Sequence, residues 1–262
     1  MKITSFIKQS FLSFILLCVF LNTQAQDGTR YTKKTDASPV GKVMTIPFEP
    51  KLYLSEIDKK VNEQTHWDFN QIREYFRHQL DAQLQAKLKN QTAVISFYSD
   101  SVKMSKDLKY IYSSTRLSFD PLEKTGSSTT GTSKDNGIKD GQLAVEMSSE
   151  KKFTNLRIND LQALTYLHDK YKAEYFIFIN QLDIKNDADS YNISTDTYLR
   201  RVNVHYTILD KNGKLITAGI APSSFSSKEN NPKKIVAQSF SPAATYIATK
   251  LITILKPLPQ KK

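Results

Sequence analysis

Four histidines, His66, His78, His168 and His205, are the side chains best suited to ligate a metal or move a proton. None belongs to an HxxxH or HxH pair. His66 and His78 stand twelve residues apart, about three helical turns, too far along one helix to share an ion. His205 falls on the water-facing side of its strand by alternation, and all four read as surface or partly packed histidines. Serines crowd into the stretch TGSSTTGTSKDNG (125–137), where nothing would hold a nucleophile in place. No GxSxG or HExxH is present, and Gly126, Gly131, Gly137 and Gly141 do not build a phosphate loop. Asp183, Asp187 and Asp189 follow an apolar run in what reads as a polar loop; their spacing matches no calcium loop. Converging with Glu174, these acids could serve a hydrolase. Basic residues alternate with aromatics at Tyr198-Leu199-Arg200-Arg201 and at Arg73, Tyr75, Phe76 and Arg77. Such pairs can stack bases or sugars, but Phe76 reads as core and its arginines as helix solvation. Catalytic, cofactor-binding and metal residues are therefore assigned to none. Arg200, Arg201 and His205 are the candidate partner-binding residues.

The elements that must position these residues have clear signatures. Ile72, Phe76, Leu80, Leu84 and Leu88 recur every four residues, with Phe69 three before Ile72, on one face of a helix over 68–88. Asp68 and Gln71 fit a capping box, Asp81 and Gln85 fall on the wet side, and Asn90 can end the helix. A second helix is expected from Asn159, capped with Gln162, its stripe Leu161, Leu164, Leu167 and Tyr171 ending near Lys172. A third runs over 237–255 through Phe240, Ala244, Ile247, Leu251 and Leu255, with Pro257 as its stop. Strands are expected at 42–47, where Pro47 can sit only at an end or edge, at 92–98 and at 142–147; 101–112 is a polar, partly helical segment. Tyr175-Phe176-Ile177-Phe178-Ile179 shows no alternation, so it reads as a strand covered on both faces. Over 198–208 the pattern alternates, one face buried and one wet. Asp210-Lys211-Asn212-Gly213 is a hairpin turn, 214–220 its return strand, and 222–232 a polar loop.

Around this domain (42–255) lie other segments. Lys2 and Lys8 followed by the apolar run 11–21 and Thr23-Gln24-Ala25 predict a signal peptide over 1–25. Its removal takes away Cys18, the single cysteine, and lowers the net charge from +11 to about +9. A polar leader (26–41), a mobile insertion (about 122–141) and a basic tail (256–262) complete the chain.

In order, KVMTIPFEP, KYKAEYFIFINQLDI and VNVHYTILDKNGKLITAG resemble three stretches of the amino-terminal domain of TolB and of CsgG: an opening strand, a helix-to-strand passage and a hairpin. Glu174 stands where that family often has Asp. The TQAQ ending and the Tyr/Lys/Asn-rich composition are similar to those of secreted proteins of Bacteroidota. The resemblance implies an α/β (α+β) domain, a mixed sheet with helices packed mainly on one face. It also implies a non-enzymatic accessory module, periplasmic or outer-membrane-associated, that binds envelope proteins or cell-wall components and takes no cofactor. The alternatives are an envelope-polymer hydrolase and a peripheral polyanion binder; nucleic acid is not an expected partner.

Overall fold

The computed structural model describes residues 41–122 and 152–255, all within one compact unit. The expected signal peptide, leader, insertion, 142–147 strand and basic tail lie outside the described residues. Chain order is β1 (Val43–Ile46), β2 (Tyr53–Ser55), α1 (Asp58–Thr65), α2 (Phe69–Leu88), β3 (Val94–Ser96), α3 (Ser101–Ser113), β4 (Thr115–Pro121), β5 (Lys152–Ile158), α4 (Gln162–Tyr171), β6 (Tyr175–Asn192), β7 (Thr197–Asp210), β8 (Leu215–Ser226) and α5 (Ser241–Leu255). A π-helical turn, Val236–Phe240, leads into α5.

The main sheet runs β3-β1-β6-β7-β8, with β2 on the same flank of β6 as β1. β1 pairs in parallel with β3 and with the start of β6; β7 and β8 are antiparallel. This is the expected mixed sheet of an α/β protein. The longest helices, α2 and α5, share one face with α1. The other face carries α3, α4 and the two-stranded ribbon β4–β5.

The apolar pentapeptide is an inner strand. Ile177 and Ile179 join the core under α2 and α5, whereas Phe176 and Phe178 join the one under α3 and α4. All four are at most 5 % exposed, so neither face could carry a polar residue at a lower cost, and the pattern shows no alternation. The stripe Ile72 to Leu88 is fully buried, and Asp68 and Gln71 form both bonds of the capping box.

Several expectations change. β6 continues through Asp187 and Asp189 to Asn192, and β8 reaches Ser226; long antiparallel pairing, absent from any local signal, holds these polar residues extended. Phe69 and Leu161, expected on buried stripes, are exposed. Asn159 does not cap α4: the N-cap is Leu161, and the carboxylate of Asp160 just before it accepts from Gln162 N at 2.9 Å. Asp81, expected on the wet side, is 3 % exposed, because β1 and β3 close over that flank of α2.

β7 shows the largest change. Asn203, His205 and Thr207 are buried along with Val202, Val204, Tyr206 and Ile208. The face expected to be wet is covered by β5. A bulge at Asn180 prepares it: the register steps from Ile179↔Tyr206 to Gln181↔His205. One extra residue inverts the side-chain parity, so Leu182 and Ile184 stay in the core under α2 and α5. Gln181 and Asp183 thereby turn toward the ribbon.

Candidate functional site

In open α/β sheets ligands gather at the carboxyl ends of parallel strands, where connections diverge to either side. Here that point is the end of β1, flanked by β3 on one side and β6 on the other. α2 presents Glu74, Arg77, His78 and Asp81 to it. The Asp81 carboxylate accepts from Thr45 Oγ1 at 2.5 Å, from Gln85 Nε2 at 2.8 Å and from the Ser96 hydroxyl. Burial pushes its carboxyl above the ordinary carboxylate range, against the pull of those three donors. Arg77 donates from Nε to Phe48 O at 2.6 Å and from Nη2 to the Tyr112 hydroxyl at 2.9 Å. That hydroxyl donates in turn to Pro47 O at 2.5 Å. Arg77 also lies 5.5 Å over the ring of Tyr98. Burial pushes the Tyr112 phenol up to about 12 and raises Tyr98 further, so both stay protonated at neutral pH. Glu49, Lys51, Tyr112 and Arg116 line a shallow cleft of 380 Å³ beside these groups, with Glu49 and Lys51 paired at 2.9 Å. The carboxylate, guanidinium and phenol that could act here are held by internal partners, and the cluster clamps the ends of β1 and β3 to α2.

A second polar cluster lies between β5 and the sheet. Asn180 Nδ2 donates to Thr154 O and to Thr207 Oγ1, both at 2.8 Å. Thr207 Oγ1 donates to Asn155 Oδ1 at 2.7 Å, and Thr154 Oγ1 to Gln181 Oε1 at 2.7 Å. Thr154 N donates to His205 Nδ1 at 2.8 Å. The far side of that ring, Nε2, stands 3.5 Å from Asp183 Oδ2. Asp183 also accepts from Gln181 Nε2 at 2.6 Å and pairs with Lys185 at 3.4 Å. Burial alone would raise the Asp183 carboxyl. The polar contact with His205, the hydrogen bond from Gln181 and the charge of Lys185 outweigh it and hold the group below its ordinary value.

The three candidate partner-binding residues are not brought together as one surface. Arg200 is 3 % exposed; its Nη1 donates to Glu229 O and Asn230 Oδ1 at 2.8 Å, and its guanidinium covers the Phe225 ring. It ties down the loop after β8. Arg201 pairs with Asp187 at 2.7 Å. His205 is buried under β5 rather than wet. The candidate hydrolase acids do not converge either. Glu174 pairs with Lys211 at 2.9 Å at the start of β6, and Asp183 follows nine residues later, about 30 Å along an extended strand.

His66 ends α1 in the left-handed conformation. His78 packs edge-on against Tyr98, and His168 Nδ1 lies 2.9 Å from Ala173 O. Among the described residues no group of three His, Cys, Asp or Glu is placed to hold a metal ion, and no helix is long and apolar enough to cross a membrane. Sequence reading passed over Asp81, Tyr112, Asn155 and Thr154. Asp81 carries a faint signal, four residues after Arg77 and beside Leu80 and Leu84; the others become visible only when distant segments meet.

No family model matches the chain, and no curated protein matches it. Among solved structures it is similar to lipoprotein GNA1162 from Neisseria meningitidis, at 13 % identity and TM-score 0.36 over 76 % of this chain and 94 % of that one. It is also similar to the hypothetical protein CT253 from Chlamydia trachomatis, at 12 % identity and TM-score 0.40 over 80 % of this chain and 97 % of that one.

Proposed function

We propose that this protein is an exported accessory module of the cell envelope, related to the TolB amino-terminal domain and CsgG, which binds envelope proteins or cell-wall components without catalysing a reaction. The observation that carries the reading is the outer edge of β8. Its twelve residues, Leu215–Ser226, pair with β7 alone among the described residues. A strand edge is a ready template for a partner's extended segment, with backbone hydrogen bonds for affinity and alternate side chains for specificity. Pro222 in this strand is compatible with an edge position and with no inner one. The separation of Glu174 from Asp183, each with its own cation, supports binding over hydrolysis.

The test is site-specific photocrosslinking in the envelope of the source cell. A photoreactive residue at Leu215, 46 % exposed on the edge strand, should form an adduct with a defined envelope component. The same residue at Lys59, exposed on α1, should not. Adducts absent at Leu215, or identical from both positions, would count against strand-edge docking. Turnover of cell-wall polymer by the purified protein would count against the non-enzymatic reading.

A further inference from the structure

We propose that His205 is an acid-sensitive latch that holds the β4–β5 ribbon against the main sheet and releases it when the imidazole is protonated. The argument is geometric. The Thr154 amide N–H points at His205 Nδ1 over 2.8 Å, so Nδ1 must present a lone pair and the ring proton must sit on Nε2. Adding a proton at Nδ1 would set two N–H groups against each other. With the ring 3 % and Thr154 2 % exposed, water cannot enter between them while the ribbon stays down. Neutral imidazole and closed ribbon therefore go together.

The surroundings favour the charged ring once that contact is given up. Asp183 Oδ2 lies 3.5 Å from Nε2 and would pair with an imidazolium. Lys185, 3.4 Å from the same carboxylate, opposes this in part. From β8 the residue opposite is the apolar Ile220. On β7, Arg201 is engaged with Asp187. On the ribbon, Asp120 and Arg157 pair with each other at 2.5 Å, and Lys152 is exposed. Asp183 and the Thr154 amide thus favour opposite charge states of the same ring, a two-state arrangement at the ribbon's seat on the sheet. The other bonds across the interface, from Asn180, Thr154 Oγ1 and Leu156 N, carry no titrating group. The device is independent of docking at β8.

Amide exchange followed by NMR on the chain without residues 1–25 reads the latch directly. From pH 7.5 to 5.0 the protection of the Thr154 and Leu156 amides, corrected for intrinsic exchange, should fall at least tenfold, while amides in α2 keep theirs. His205→Asn, whose Oδ1 can replace Nδ1 as acceptor but does not titrate, should abolish the fall. Unchanged protection in the wild type, or the same fall in His205→Asn, would overturn the proposal. Should that variant not fold, the ring ¹⁵N shifts of the wild type decide: imidazolium should appear in step with lost protection, and imidazolium beneath a still-protected β5 would refute the latch.

Discussion

Arg77 Nε donates to the backbone carbonyl of Phe48 at 2.6 Å, binding the middle of α2 to the turn that leaves β1. With Tyr112 on the same guanidinium, one side chain joins three segments that are distant in sequence. Arg77→Leu would leave the Phe48 carbonyl buried without its charged donor and remove a partner of Tyr112. The expected loss is about 3 kcal/mol, the range for a charge-assisted hydrogen bond left half-made, read as a lower denaturant midpoint at unchanged slope.

Asp81 makes stability fall as pH rises. Its folded carboxyl is raised by burial above the unfolded value of about 3.9, so the native state binds the extra proton. That contribution is complete below about pH 4 and is lost as pH climbs through the raised value. Asp81→Asn removes the cost of a buried charge while keeping an acceptor for Thr45. Its stability relative to the wild type should therefore increase between pH 3.5 and 7.5 in paired urea titrations; a constant difference would refute the assignment.

Asp183 has the opposite sign. Its folded carboxyl is held below the ordinary value, so its contribution is present above about pH 4 and disappears as pH falls through the depressed value. Asp183→Asn should destabilise at pH 7 by roughly 1–3 kcal/mol, as for a buried charged hydrogen bond. The gap to the wild type should close in acid, measured by the same titrations.

Gly213 holds the β7–β8 turn at φ +77°, where Asp210 Oδ1 accepts from Asn212 N and Lys214 N at 2.9 Å. Gly213→Ala would meet Leu161 Cδ2, an exposed side-chain end that can move. The left-handed backbone cannot be relieved so easily and should cost about 1–2 kcal/mol. The check is a thermal melt, expected to drop by several degrees with the fold intact.

Local sequence determined the elements whose signals are short-range. The stripe from Ile72 to Leu88 specifies α2, because a 3.6-residue repeat can bury one face of a helix and nothing else. Tyr175 to Ile179 announces an inner strand, because continuous apolarity suits only a strand covered twice. Asp210 to Gly213 marks its turn through a residue able to take positive φ. Tertiary structure decided which polar residues are inside. His205 and Thr207 alternate with apolar neighbours as a wet face would, yet β5, some fifty residues earlier in the chain, lies across them. Arg200 looks like a surface cation until the loop at Glu229 and Asn230 closes over it, and Asp81 looks solvated until Thr45 and Ser96 converge on it. Periodicity reports how a segment meets its nearest surroundings. Whether a polar side chain meets water or a matching donor depends on segments far along the chain, and no local pattern records which of them will arrive.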